Sequence, residues 1–142
     1  MGHQMSPTFS EPTEQDYTLL AKRWVSIRSL AQEEYGIEID QSPETLDVLQ
    51  QILDNGLVNS EGVLAVGVVM GRVMARNIPG LDWWVVEDEF GRDLCLRYEA
   101  TTLRVNPVSM IWKRVSRKEK LDVRGLFAAT EAQIERLAGS TD

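Results

Sequence analysis

Asp82-Trp-Trp-Val-Val-Glu-Asp88 is the stretch in which the apolar pattern of the chain changes its period. Before it, apolar residues recur every three or four positions, which is typical of helices; from here on they alternate with polar residues, which is typical of strands. A turn that contains Gly91 follows, and the alternation resumes over residues 94–99 and again over residues 101–105. The pattern therefore predicts an antiparallel meander of two or three strands.

Three helices are predicted before this stretch, because apolar residues recur there at helical spacing. They cover residues 13–35, a segment from Ser42 to about Leu53, and Ser60 to about Arg76. In the second helix, Ser42 is the expected N-cap and Pro43 takes the first helical position. The third helix is apolar on nearly every side, which predicts a central position in the core.

Two more helices are predicted after the strands. Over residues 108–116 the spacing favours a helix, although the short apolar run Met110-Ile-Trp112 would also suit a strand. The last helix begins at Asp122, which is placed to cap it. The predicted inward face of this helix consists of Leu126, Thr130, Ile134 and Leu137.

The resulting order of elements is α-α-α-β-β-(β)-α-α. It predicts the α+β class, with one domain over residues 13–139 in which helices pack on a small antiparallel meander. Residues 1–12 are polar and are predicted to form a flexible leader. Gly67 and Gly71 lie four apart in the third helix, so we expect another backbone to approach that helix closely in the core.

Histidine and cysteine are almost absent from the 142 residues, which limits the chemistry. The one histidine is His3, in the leader, and the one cysteine is Cys95. Catalytic triads and Cys-His pairs need an imidazole that the fold holds in place, and zinc sites need several such ligands. We therefore predict no cofactor and no metal, and a chain that is not an enzyme is favoured.

Charge and cysteine usage predict the compartment and the class of partner. The formal net charge is −7, and residues 1–61 hold eleven acidic and three basic side chains. Phosphate backbones and anionic lipids would repel such a segment, so neither nucleic acid nor membrane is an expected partner. The longest apolar run, Val63 to Met70, is too short to span a membrane, and a lone Cys95 favours the reducing cytoplasm.

Adjacent Trp83 and Trp84 give the clearest candidate for a binding surface. Successive side chains on a strand point to opposite faces, so one indole lies on each face of the sheet. A central strand that is covered on both sides would explain them. The alternative is that one indole lies on an incompletely covered patch that binds a partner protein, a second subunit or an apolar ligand.

Three polar features are weaker candidates. The acids of residues 87–93 are nearly consecutive, which favours a solvated hairpin turn over a cation site. Ser109 lies four residues before Lys113, but a helix cap is the favoured interpretation of Ser109. The basic segment, residues 113–120, offers an anchor for phosphate or an acidic surface, or pairs with the chain's own carboxylates. Its five cations are Lys113, Arg114, Arg117, Lys118 and Lys120.

Three motifs follow one another in the second half of the chain. They are Gly62-x-x-x-x-Gly67, Trp84-Val-Val-Glu-Asp-Glu-Phe-Gly-Arg-Asp93 and Asn106-Pro-Val-Ser-Met-Ile-Trp-Lys-Arg114. In this order they resemble a bacterial family of domains of unknown function, over about Ser60 to Leu137. The resemblance implies a compact bacterial domain and no particular activity. The residues that it places at shared motif positions are Trp84, Asp93, Ser109, Lys113 and Arg114.

One contact between these motifs is expected on physical grounds. Asp93 begins a strand, and we expect its carboxylate to pair with Lys113 or Arg114 beneath the meander.

The favoured function is a non-enzymatic binding or accessory domain that presents the Trp84 region of the sheet and the basic segment to another macromolecule. This partner is a protein or a second copy of the chain. The alternative is a small hydrolase or ligand-binding enzyme that uses Asp88, Glu89 or Asp93 with a divalent ion. A further alternative is an acidic immunity-type protein that neutralises a basic toxin.

Overall fold

The computed structural model describes residues 6–139, so His3 lies outside the described residues. The elements in chain order are β1 (Thr8–Ser10), α1 (Glu14–Tyr35), α2 (Thr45–Asp54), α3 (Ser60–Asn77), β2 (Leu81–Asp88), β3 (Gly91–Tyr98), β4 (Arg104–Val105), α4 (Pro107–Ser116) and α5 (Val123–Gly139). The predicted α+β fold is confirmed, with five helices and a four-stranded sheet in the described part of the chain.

The sheet is antiparallel throughout and has the strand order β1-β2-β3-β4. The β2 and β3 strands pair along their whole length, from Leu81 opposite Tyr98 to Asp88 opposite Gly91. Gly91 has a φ of 116°, a backbone conformation that residues other than glycine rarely adopt. The acidic stretch therefore forms the tight hairpin turn that the sequence favours.

The first strand was not predicted. The sequence pattern places residues 1–12 in a leader, whereas Thr8–Ser10 form β1 and Phe9 lies opposite Val86 of β2. A strand of three residues is too short to show an alternating pattern, and its partner lies far along the chain. Residues 1–5 of the predicted leader lie outside the described residues.

The start of α2 differs from the prediction. Ser42 and Pro43 lie in a turn before the helix, and the N-cap position, Glu44, makes no side-chain hydrogen bond. The Asp40 carboxylate instead accepts hydrogen bonds from the backbone N–H and the hydroxyl of Ser42. The prediction of Ser42 as the N-cap is therefore wrong, because a carboxylate two residues earlier holds Ser42 in the turn.

The predictions for the last two helices are mostly confirmed. Residues 107–116 form the helix α4, and Asp122 accepts a hydrogen bond from the N–H of Gly125 at the start of α5 (3.0 Å). Thr130 and Ile134 are buried as expected, but Leu137 is 39% exposed, so its predicted inward position is wrong.

The two glycines of α3 make the close approach that their spacing predicts. A Cβ atom added at Gly67 would lie 2.5 Å from Cα of Val108, which is a backbone atom of α4. One added at Gly71 would lie 2.7 Å from Pro107 Cγ and 2.7 Å from two ring atoms of Trp83. Glycine therefore lets α4 and the sheet pack directly against the backbone of α3.

The helices pack on one face of the sheet. Leu81, Leu96 and Val105 belong to the core cluster that the helices share, and Trp83 packs against that cluster. The opposite face, which we call the outer sheet face, contributes no side chain to that cluster among the described residues. Its side chains are those of Phe9, Asp82, Trp84, Val86, Asp88, Asp93, Cys95, Arg97 and Arg104. Among the described residues, no helix is long and apolar enough to cross a membrane.

Candidate binding surfaces

The guanidinium group of Arg97 stacks on two aromatic rings of the outer sheet face. Its Cζ atom lies 4.0 Å from the ring centroid of Phe9 and 4.7 Å from that of Trp84, within cation-π range. The same group donates hydrogen bonds to the backbone carbonyls of Ala100 (3.0 Å) and Thr101 (2.6 Å). Arg97 therefore holds both rings and the loop after β3 in one fixed arrangement.

Val86 and Cys95 lie buried on this same face. Cys95 is 1% exposed, and burial raises the pKa of its thiol to about 11. The thiol therefore stays protonated at neutral pH, where only the thiolate would be a good nucleophile.

A hairpin cleft of about 330 Å³ lies beside these residues, and both Asp88 and Asp93 line it together with Cys95. Both oxygens of Asp88 have partners. Its Oδ1 accepts a hydrogen bond from the N–H of Phe90 (2.8 Å), and its Oδ2 lies 3.5 Å from Arg104. No group of three or more His, Cys, Asp or Glu side chains in residues 6–139 is placed to hold a metal ion.

Asp93 orients the residue that begins α4. Its Oδ2 accepts a hydrogen bond from the side-chain amide of Asn106 (2.8 Å), and its Oδ1 accepts one from the N–H of Leu94 (2.9 Å). Asn106 in turn accepts a hydrogen bond from the N–H of Ser109 (3.0 Å) and is the N-cap of α4. The prediction of Ser109 as the cap is therefore wrong, since Ser109 is the third residue of the helix.

The expected ion pair between Asp93 and Lys113 or Arg114 is not formed. Within the described chain, neither cation lies within 4.0 Å of a carboxylate, and Arg114 donates to the backbone carbonyl of Met110 (3.1 Å). The prediction is wrong because Asn106 takes the carboxylate. Among residues 6–139, no hydrogen bond, ion pair or ring contact joins the basic segment to the outer sheet face, so these two candidates are separate features.

Trp83 lines a second site, on the helix side of the sheet. This α1–α3 cleft has a volume of about 470 Å³. It is lined by Tyr17, Leu20, Ala21, Gln41, Val68, Arg72, Ala75, Arg76 and Trp83. The Arg72 Cζ atom lies 4.3 Å from the ring centroid of Trp24 on α1. Sequence reasoning missed Arg72 and Arg76, although they are the only basic residues of α3 and lie four apart.

Comparison with known proteins gives a family and a fold. Residues 45–127 match a family described as a domain of unknown function (DUF3806). The predicted resemblance to such a family is confirmed, and the match begins before Ser60, in α2. No curated protein matches the chain.

A crystal structure of a protein from Bacteroides thetaiotaomicron VPI-5482 is similar, with a TM-score of 0.80 and 15% sequence identity. The alignment covers 91% of this chain and 48% of that one, so the chain spans about half the length of the Bacteroides protein. At this identity the likeness shows the fold alone.

Proposed function

The chain belongs to the DUF3806 family of domains of unknown function, and we propose that it is a non-enzymatic binding domain that docks against another protein through its outer sheet face. One observation carries the proposal: Trp84 lies half-buried on the face of the sheet that contributes no side chain to the core cluster among the described residues. Tryptophan and arginine are the residues that most often dominate the binding energy of protein interfaces. Trp84 and Arg97 are stacked together on this face.

The turn between β2 and β3 adds a second apolar group beside this face. Phe90 is 89% exposed there and lines the hairpin cleft. A phenylalanine ring at the end of a hairpin is exposed to water, which is unfavourable, and it can be covered by packing against another molecule. Phe90 and Trp84 together would give a partner two aromatic anchors.

The fixed geometry of the outer sheet face supports docking without rearrangement. The guanidinium group of Arg97 already has its stacking and hydrogen-bonding partners within the chain. Little side-chain entropy would therefore be lost when a partner packs on this layer, and preorganisation of this kind increases affinity.

The basic segment is proposed as a separate contact, for acidic groups of the partner. The ammonium groups of Lys113, Lys118 and Lys120 form no ion pair within the described residues. We place the protein in the cytoplasm, where a lone buried Cys95 would remain a thiol. The carboxylate-based enzyme has less support, because the oxygens of Asp88 and Asp93 already have partners.

The experiment is photo-crosslinking in cells of the source organism, with p-benzoylphenylalanine in place of Phe90, Ser116 or Ala132. These three positions are exposed and lie at the hairpin turn, at the basic segment and on α5. The proposal predicts a specific adduct from position 90, identified by mass spectrometry, and none from position 132. Adducts that are equal at positions 90 and 132 would overturn it, and an adduct of twice the chain mass would identify a second copy as the partner.

Affinity for the purified partner then tests the two aromatic anchors. We expect Trp84→Ala and Phe90→Ala each to weaken binding by about tenfold or more. Val25→Ala is the matched control, because it removes an exposed apolar side chain of α1. Circular dichroism must show that the variants remain folded. Equal affinities of the three variants would exclude the outer sheet face.

A further inference from the structure

We propose that the α1–α3 cleft binds a small organic anion, with a carboxylate held by Arg72 and Arg76 and an aromatic or aliphatic body packed beside Trp83. This site lies on the helix side of the sheet and is independent of the docking proposed for the outer sheet face.

The charge of the cleft supports an anionic ligand. Arg72 and Arg76 lie four apart on α3, so their side chains share one face of that helix. Neither forms an ion pair or donates a side-chain hydrogen bond within residues 6–139. No carboxylate lines the cleft, in a chain with 22 acidic and 15 basic residues. Two cations are thus concentrated where the chain's own acids are absent.

The position of Arg72 suits recognition of a carboxylate. Its guanidinium group stacks on the ring of Trp24, 4.3 Å from the centroid, which occupies a face of the planar group. Stacking leaves the N–H donors at the edge of the plane free for a planar, bidentate partner. The stack also restricts the Arg72 side chain before a ligand arrives, so binding would cost less side-chain entropy.

The remaining lining suits an apolar body. The Trp83 ring is half-buried and rests against Gly71, while Leu20 and Val68 present buried aliphatic groups. A volume of about 470 Å³ lies within the range of pockets that bind small molecules. Apolar walls with a few converging polar groups are the usual composition of such pockets.

An acidic group lies in the neighbouring cleft. Asp40 lines that cleft, which shares Gln41 and Arg76 with the α1–α3 cleft. Hydrogen bonds from Ser42 hold the pKa of Asp40 below its ordinary value, so this carboxylate stays charged at neutral pH. It forms no ion pair with Arg76 in the described chain. We therefore place the carboxylate of the ligand nearer Arg72 and its body toward Trp83.

The test is an NMR titration of the 15N-labelled full chain with two acids, 2-naphthoate and octanoate. Their uncharged amides and inorganic phosphate serve as comparison probes. We expect at least one acid to shift the indole N–H signal of Trp83, assigned with Trp83→Phe, and to saturate with a Kd of about 1 mM or lower. The matching amide should bind at least about tenfold more weakly than the acid, and added salt should weaken binding of the acid. Phosphate alone should leave the Trp83 signal in place, because it lacks an apolar body.

Arginine variants identify the groups that hold the anion. Arg76→Gln removes an exposed charge and leaves the Arg72–Trp24 stack in place, so the fold should be retained. Arg136→Gln is the matched control, since it removes one exposed arginine from α5. The proposal predicts about fivefold or more weaker binding for Arg76→Gln, and for Arg72→Lys, and no change for Arg136→Gln. It is overturned if acid and amide bind equally, if neither acid shifts Trp83, or if both cleft variants bind like the control.

Discussion

Trp83 and Trp84 are neighbours in the chain, and their surroundings differ in how the nearby arginines are used. On the outer sheet face, Arg97 stacks on Trp84 and donates to two backbone carbonyls. In the α1–α3 cleft, Arg72 and Arg76 lie near Trp83, and within residues 6–139 neither donates to an acceptor of the chain. The guanidinium group of Arg97 therefore has hydrogen-bond acceptors within the fold. Those of Arg72 and Arg76 have none among the described residues and are left to solvent.

This difference separates two modes of recognition. A guanidinium group that already has its hydrogen bonds contributes to binding through its flat, apolar faces, as part of a preorganised surface. A guanidinium group without an acceptor contributes through charge-assisted hydrogen bonds to an incoming anion. The outer sheet face therefore suits a protein surface, and the cleft suits a small anion.

The largest expected effect concerns the packing of α4 against α3, on the helix side of the sheet. Gly67→Ala would place a Cβ atom 2.5 Å from the Val108 Cα atom, so α4 must move away from α3. We expect the free energy of unfolding to fall by about 2–3 kcal/mol, despite the better helix propensity of alanine. Urea denaturation measures this. Gly139→Ala, which meets no atom within 4 Å, is the control and should have little effect. Equal stabilities would show that the α3–α4 contact tolerates a methyl group.

The two indoles can be compared directly by truncation. Trp83→Ala removes a half-buried ring that packs on Gly71 and on the core cluster, and we expect the free energy of unfolding to fall by about 2 kcal/mol. Trp84→Ala removes a ring that stacks with Arg97 outside the core cluster, and we expect the free energy of unfolding to fall by about 1 kcal/mol. Denaturation of both variants under one condition measures the difference. A larger loss for Trp84 would reverse the assignment of the helix side and the outer face.

The sequence predicted the structure well where the signal lies within one short segment. Alternation placed Trp83 and Trp84 on opposite faces, and the spacing of Gly67 and Gly71 predicted a close approach, which Val108 and Trp83 make. Both signals depend on residues that lie close together in the chain.

The parts that were missed depend on distant residues. The cap of α4 is Asn106 and not Ser109, because Asp93 on another element orients the Asn106 amide. The α1–α3 cleft exists only because α1 lies beside α3, which places Tyr17 and Trp24 near Arg72. No spacing within one segment predicts such a site.

A fourth arginine, Arg92, sharpens the comparison, because it lies on the helix side of the sheet and does pair with a carboxylate. Arg92 of β3 donates to both oxygens of Asp16 at the start of α1 (3.2 and 2.6 Å), and Asp16 also completes a capping box with Thr13. The Arg92 hydrogen bond is the main cause that lowers the pKa of Asp16 from 3.8 to about 2. We expect Asp16→Asn to lower the free energy of unfolding by about 1–2 kcal/mol at pH 7.

The pH dependence identifies the source of this loss. Because the folded state lowers the pKa of Asp16, its stabilisation is complete above the unfolded pKa of 3.8 and is lost as the pH falls toward about 2. Wild type and Asp16→Asn should therefore converge in stability over this range. Asp47→Asn, which breaks the exposed pair with Arg124 (2.7 Å), is the control and should cost much less. Curves that stay parallel down to pH 2 would contradict the assignment to Asp16.

The smallest expected effect tests the central difference between Arg97 and Arg72. Arg97→Ala removes two ring contacts and two hydrogen bonds to the loop after β3, and we expect a loss of about 1–1.5 kcal/mol with faster amide exchange in that loop. Arg72→Ala removes one ring contact and no hydrogen bond to residues 6–139, and we expect the free energy of unfolding to fall by about 0.5 kcal/mol. Denaturation and hydrogen exchange by mass spectrometry measure both. If Arg72→Ala lowers the free energy of unfolding as much as Arg97→Ala does, then Arg72 stabilises the fold as Arg97 does. The difference between the outer sheet face and the α1–α3 cleft would then be lost.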